Sequence, residues 1–195
     1  MHKRVCVYCS SSDIIEDKYK EAAEHFARAA SNAGIGIVCG GSSKGLMGIM
    51  IDTAIECGGE IEGVMPEFMT NLEFDHRRLK KLIKVQTMSE RKDLLRNDTD
   101  AVVVFPGGIG TLEEFIETFT LKRLGKYSGT VILYNLDGFY NPLISLFDHL
   151  VEKCFLNSNY HNGLIVVETV DELIKEILSS ERFFLEPKHY APHKS

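Results

Sequence analysis

The chain has 195 residues and a formal net charge of −6; the length suits one α/β domain, and the acidic balance argues against a general nucleic-acid binder. Hydrophobic residues make up 44% of the sequence, enough for a packed core, so a disordered chain is excluded. No apolar run reaches the roughly 18 residues of a membrane span, and Met1-His2-Lys3-Arg4 leads into a short strand rather than an apolar signal segment.

Lys3 to Cys9 reads as the first strand. The five cysteines, Cys6, Cys9, Cys39, Cys57 and Cys154, are odd in number and scattered, which points to a reducing, cytoplasmic setting. Cys6-Val7-Tyr8-Cys9 is formally C-x-x-C, but residues three apart on a strand point to opposite faces, so packing roles are expected. Ser10, Ser11 and Ser12 follow, suited either to a nucleotide or to a plain turn. A charged helix runs from about Asp17 to Ala33, its alanines and Phe26 turned inward, and Asn32-Ala33-Gly34 ends it. Ile35 to Cys39 is a second buried strand. Gly40 to Gly48 is a glycine-rich loop running into a helix that ends near Cys57; Gly58-Gly59 closes it, and Glu60 to Met65 is the third strand.

From Pro66 to Lys81 the pattern weakens. Asn71 to Arg78 is expected to form a loop and a short helix over a cleft, with an ordinary surface connection as the alternative. Leu82 to Val85 is a short strand, and Thr87 or Ser89 caps the next helix, Ser89 to Asn97. Ala101 to Phe105 is a β-branched run that reads as a strand buried on both faces. Pro106 stops its ladder. Gly107, Gly108 and Gly110 follow, expected to take positive φ and to let a ligand approach without a Cβ in the way. Thr111 then opens a helix to Leu124, with Glu113, Glu114 and Glu117 in its first two turns. A strand, a glycine loop and a helix N-terminus make an anion site. The competing structural reading is a capping box between Thr111 and Glu114. The loop is neither G-x-G-x-x-G nor G-x-x-x-x-G-K-[ST].

Thr130 to Tyr134 is a strand, Pro142 to Cys154 a helix, Leu164 to Val167 the last strand and Val170 to Leu178 the last helix. Alternating strands and helices predict one Rossmann-like, doubly wound parallel sheet over residues 1–180, with 181–195 a loose polar tail. Ligands in such folds sit beyond the carboxyl ends of the strands. The serine run, both glycine loops and the start of the Ser89 helix therefore meet at one crevice. Arg91 and Lys92 lie in the first turn of that helix, where cations oppose the helix dipole at about 0.3–1 kcal/mol each when exposed. Either a bound anion or Glu114 offsets that cost, or both side chains bend into solvent. Lys44 is open between a phosphate ligand and a solvated loop lysine. The seven histidines lack metal-ligand spacing, and His189 and His193 sit in the tail, so neither metal nor cofactor is expected.

These residues carry a resemblance. Pro106 to Glu114 resembles the PGGxGTxxE motif of the Lonely Guy family, the cytokinin riboside 5′-monophosphate phosphoribohydrolases. Met88 to Lys92 is similar to its MxxRK element, Gly40-Gly41 with Gly45-Leu46-Met47-Gly48 to its GG…GLMG loop, and Val7 to Ser12 to its first strand and serine turn. The resemblance runs from Lys3 to about Leu178. It departs in lacking tryptophan, where the family often has one near Thr120 to Leu124, and in the segment 71–79; both bear on base preference. Family members have carried the label lysine decarboxylase, but no lysine here sits in a Schiff-base context for pyridoxal phosphate.

The resemblance implies hydrolysis of the N-glycosidic bond of a nucleoside 5′-monophosphate. Glu114 would stabilise the oxocarbenium-like ribose and activate water. Arg91 would hold Glu114 or reach the phosphate. The phosphate would sit on Gly107, Gly108, Ile109, Gly110 and Thr111, and Glu117 would bind ribose hydroxyls. Ser10, Gly41, Met88 and Lys92 complete the expected substrate-binding set. A non-catalytic carrier, such as the related molybdenum-cofactor carriers, is the alternative, and the presence of both Arg91 and Glu114 argues against it. A third reading is a glycosidase on another purine monophosphate. The helix Thr111 to Leu124 carries Leu112, Phe115, Ile116, Phe119, Leu121 and Leu124, more apolar surface than one stripe requires. A homodimer around it is expected, and the resemblance implies the same.

Overall fold

Short β-branched runs separated by amphipathic helices leave one economical solution, a parallel sheet covered on both faces. The structure, a computed structural model, describes residues 2–70 and 75–186. The strands are β1 Arg4–Tyr8, β2 Gly36–Cys39, β3 Ile61–Pro66, β4 Leu82–Val85, β5 Ala101–Val104, β6 Thr130–Tyr134 and β7 Ile165–Val167. They form one parallel sheet in the order β4-β3-β2-β1-β5-β6-β7. The helices are α1 Asp17–Asn32, α2 Gly45–Glu56, α3 Glu67–Thr70, α4 Met88–Arg96, α5 Ile109–Arg123, α6 Asn141–Glu152 and α7 Val170–Ser179.

The central strands β2, β5 and β6 are buried throughout, whereas the edge strands β4 and β7 are partly open. Alternate residues of β1 feed two cores. Val5, Val7 and Cys9 join Phe26, Met50 and Leu173 on the face covered by α1, α2 and α7. Cys6 and Tyr8 join Leu95, Phe115 and Phe147 beneath α4, α5 and α6. Cys6 and Cys9 thus face opposite sides of the sheet, as the strand period requires, and both thiols are free.

Strand succession reverses between β1 and β5. Each strand there feeds a different face, so the chain parts and leaves a crevice beyond their carboxyl ends. Ser10, just past β1, donates its N–H to the Pro106 carbonyl just past β5 at 3.3 Å, which ties the two exits together.

Several boundaries differ from expectation. A short helix, α3, lies before Asn71; of the segment Asn71 to Arg78, expected to form a loop and a short helix, 71–74 fall outside the described residues. Short 3₁₀ segments appear at Leu136–Gly138 and Ser158–Gly163. The start of the tail is anchored rather than loose: Arg182 bonds the Asp98 carbonyl at 2.8 Å and Asp100 at 3.0 Å, and Phe183 N–H donates to Ser128 at 2.9 Å. Buried Lys122, in the last turn of α5, donates to the carbonyls of Ser128 at 3.0 Å and Phe183 at 2.8 Å. That burial pulls its ammonium pKa down to about 8. The rest of the expected tail, with His189 and His193, lies outside the described residues.

Candidate active site

A cavity of about 530 Å³ opens at the reversal point. Its walls come from the segment after β1 (Cys9 to Ser12), the loop before α2 (Gly40, Ser42, Lys44), the first turns of α4 (Met88, Arg91), and the start of α5 (Gly108 to Thr111, with Glu114).

α5 begins two residues earlier than its sequence suggests. Gly108 is the N-cap, and no side chain caps the end. Thr111 lies inside the first turn, so the capping box with Glu114 does not form. Leu112 N–H makes the first helical bond, to Gly108 at 3.0 Å. The N–H groups of Ile109, Gly110 and Thr111 precede it and have no carbonyl below them in the helix. None of Gly107, Gly108 and Gly110 takes positive φ, so that part of the expectation is corrected. The space argument stands for two of them: a Cβ on Gly108 or Gly110 would meet nothing within 4 Å. On Gly107 it would lie 2.2 Å from Thr111 Oγ1, so that glycine serves packing.

The N-terminus of α2 is built in the opposite way. Gly45 has φ +59°. Its N–H donates to Asp13 Oδ1 at 2.8 Å, and Leu46 N–H donates to the Ser10 carbonyl at 3.0 Å. Gly41, at φ +77°, lies behind the cavity wall, where an added Cβ would be 2.7 Å from Leu82; its carbonyl accepts from His76 N–H at 3.0 Å.

Arg91 and Glu114 meet at the base of the cavity. The guanidinium Nη1 is 2.6 Å from Glu114 Oε1, and Nε donates to the Val64 carbonyl at 3.1 Å. Both residues are 8% exposed. Gly40 leaves room for the guanidinium, since a Cβ there would lie 2.3 Å from Nη2. Arg91 therefore does not bend into solvent. Burial raises the Glu114 pKa above the ordinary carboxylate value, and the Arg91 charge opposes the shift. The result is a proton-exchanging group with a cation at its side.

Of the residues expected to bind substrate, Ser10, Met88, Gly108, Ile109, Gly110 and Thr111 border this cavity, and Gly107 borders the adjoining apolar pocket with Tyr19 and Phe139. Gly41, Lys92 and Glu117 border neither. The structure adds residues that the sequence did not single out. Met65 and Met69, with Met47 of the GLMG loop, join Met88 on the cavity wall. They come from α2, β3, α3 and α4, and no local spacing signals that they converge. Asp13, the cap on α2, is likewise invisible in sequence because its partner lies 32 residues away.

A family model described as "Possible lysine decarboxylase" matches residues 47–177. The chain is 34% identical to a cytokinin riboside 5′-monophosphate phosphoribohydrolase of Arabidopsis thaliana, over 89% of this chain and 81% of that protein. It is equally 34% identical to one from Rhodococcoides fascians, over 91% of this chain and 90% of that one. This chain belongs to the Lonely Guy family. The molybdenum cofactor carrier protein of Chlamydomonas reinhardtii superposes with a TM-score of 0.69 at 17% identity, over 92% of this chain and all of that one. At that identity the likeness speaks for the fold alone.

Proposed function

We propose that this Lonely Guy protein is a nucleoside 5′-monophosphate phosphoribohydrolase, acting on cytokinin riboside 5′-monophosphates, AMP or both. The observation that carries the reading is that an open helix N-terminus and a buried Arg91–Glu114 pair face one cavity. The 5′-phosphate rests on the N–H groups of Ile109, Gly110 and Thr111, at the positive end of the α5 dipole. The ribose then lies over Glu114, one turn further along α5. As the C1′–N bond breaks, positive charge grows on the ribose and the buried carboxylate stabilises it. Glu114 takes a proton from water as its oxygen bonds to C1′. The base leaves with the bonding electrons and takes up a proton from solvent, Glu114 gives its proton back to solvent, and ribose 5-phosphate remains. Arg91 fixes the carboxylate and keeps it ionised. The base points toward the methionine wall, whose thioethers fit irregular apolar surfaces.

Lysine decarboxylation draws little support from the residues present. Lys44, the lysine on the cavity wall, is half exposed with its ammonium 3.8 Å from Asp13, unlike a desolvated amine ready to form a Schiff base. We read residues 1–180 as one catalytic domain in a cytoplasmic protein, in keeping with the free thiols. We read α5 as the centre of a homodimer interface: Phe115 and Phe119 are buried, but Ile116 is 41% exposed, and Leu112, Leu121 and Leu124 keep part of their surface open.

The test is incubation with AMP, isopentenyladenosine monophosphate, GMP, CMP and adenosine, with released base measured by chromatography. Release from a purine monophosphate, with adenosine far poorer in kcat as well as affinity, is expected. Base release from none of them would favour a carrier instead. Light scattering checks assembly: a fully active 21.9 kDa species would rule the dimer out.

A further inference from the structure

Both α4 and α5 start at the crevice and run toward the far edge of the sheet, α4 joining β4 to β5 and α5 joining β5 to β6. Their facing sides carry opposite charges in step. α4 presents Arg91, Lys92 and Arg96; α5 presents Glu113, Glu114 and Glu117. The inner rung is Arg91–Glu114, at 2.6 Å. Behind it, Lys92 pairs with both Glu113 and Glu117, and Arg96 forms an ion pair with Glu117, Nη1 lying 2.8 Å away without hydrogen-bond geometry, while its Nη2 donates to Asp93 of its own helix. The inner rung alone borders the cavity. The Lys92 and Arg96 side chains are only 13% and 11% exposed, so each must keep a counter-charge.

We propose that Glu117, gripped by Lys92 and Arg96, is a positioning residue that sets α5 against α4 and thereby holds Glu114 on Arg91. The proposal rests on reading Arg91–Glu114 as the catalytic pair. The height of Arg91 is fixed independently, because its Nε is bonded to the Val64 carbonyl of β3. Glu114 has no such tie to the sheet and rides on α5. Glu117 sits three residues along the same helix face, so a grip on Glu117 fixes both the rotation and the advance of Glu114. A misplacement of about 1 Å at a reacting group costs on the order of 10²-fold in rate. The ribose-binding role expected for Glu117 would need it at the cavity wall, and its partners hold it away from there.

The test compares Glu117→Gln and Arg96→Met in the wild-type and Glu114→Gln backgrounds, with kcat and KM measured for AMP. Each should lower kcat about tenfold and leave KM within about twofold, and Arg96→Lys should restore most of the loss. In Glu114→Gln neither should lower kcat further, because the group being positioned is already gone. A loss of general structural integrity would instead lower both backgrounds alike. Equal losses in both backgrounds would overturn the proposal. So would an unchanged kcat, or a tenfold higher KM at constant kcat, the mark of direct substrate contact. If Glu117→Gln does not fold, Arg96→Met, which leaves Lys92 on Glu117, carries the same readouts. A crystal structure of either variant in which the 2.6 Å Arg91–Glu114 bond persists would also overturn it, whatever the activity. Absence of base release by the wild type counts separately, against the phosphoribohydrolase reading.

Discussion

Two glycine-rich segments open helices onto the same cavity, and they use glycine for different reasons. Before and within α2, glycine makes close packing feasible. Gly45 takes positive φ, an added Cβ there would lie 2.6 Å from Ser11, and one on Gly48 would lie 2.4 Å from the Ser43 carbonyl oxygen. The first N–H groups of that helix are spent on Asp13 and Ser10. At α5, Gly108 and Gly110 have ordinary negative-φ backbone and open space beside them, and the N–H groups above the first helical bond remain available. A count of glycines does not separate these cases. The separation comes from what the neighbouring chain does with the N–H groups, and by that measure α5, not α2, keeps a free end for the anion proposed above.

The contrast is broken most severely at Gly48. Its missing Cβ would meet backbone, which cannot swing aside as a side chain can. Gly48→Ala should therefore cost about 3 kcal/mol, the upper range for overpacking. A urea midpoint close to that of wild type would show that the α2 loop relaxes freely.

Glu114 sharpens the other half, since only α5 carries a buried acid one turn from its open end. Glu114→Gln and Arg91→Ala should each lower kcat by about 10², and the double variant should be little worse than either. The pH profile follows from the raised Glu114 pKa. The ionised form is the working one, so activity is lost as pH falls through that value. The acid limb should lie above the ordinary carboxylate range, and Arg91→Ala should move it higher still. An acid limb at the pKa of a free glutamate, or near-normal turnover in folded Glu114→Gln, would remove this residue from the mechanism.

Gly110→Ala is the counterpart of Gly48→Ala. Stability should stay within about 1 kcal/mol of wild type, since alanine suits a helix better than glycine. kcat/KM for AMP should fall about tenfold or more, because the new methyl group enters the space assigned to the phosphate. Lost stability with unchanged activity would reverse the roles of the two loops.

Much of this was legible in sequence, and the failures have physical causes. β4 and β6 fall on their expected residues because charged or glycine-bearing turns bound them sharply. The Arg91–Glu114 contact was legible because a cation in a first helical turn calls for an anion nearby. The start of α5 was misplaced because Ile109-Gly110 reads as loop, whereas a helix tolerates glycine in its unbonded first turn. That Lys92 and Glu117 lie off the cavity wall and pair across two helices was not legible, because spacing gives the face of one helix only. The methionine wall and the Asp13 cap depend on chain crossings that local patterns do not encode.

The smallest effect belongs to Asp13, which tests the claim that the α2 terminus is structural. Its carboxylate accepts from Gly45 N–H at 2.8 Å, yet the side chain is 62% exposed and does not border the cavity. Removing a helix cap of this kind costs about 1 kcal/mol. For a chain of this size that corresponds to roughly 2–4 °C in Tm. Asp13→Ala should show that loss by calorimetry while kcat for AMP stays within about twofold, since the proposal puts the phosphate on α5. Asp13→Asn keeps an acceptor oxygen for Gly45 and should lose less. A large fall in activity at unchanged Tm would mean that the α2 end takes part in binding, and the division of labour between the two helices would fail there.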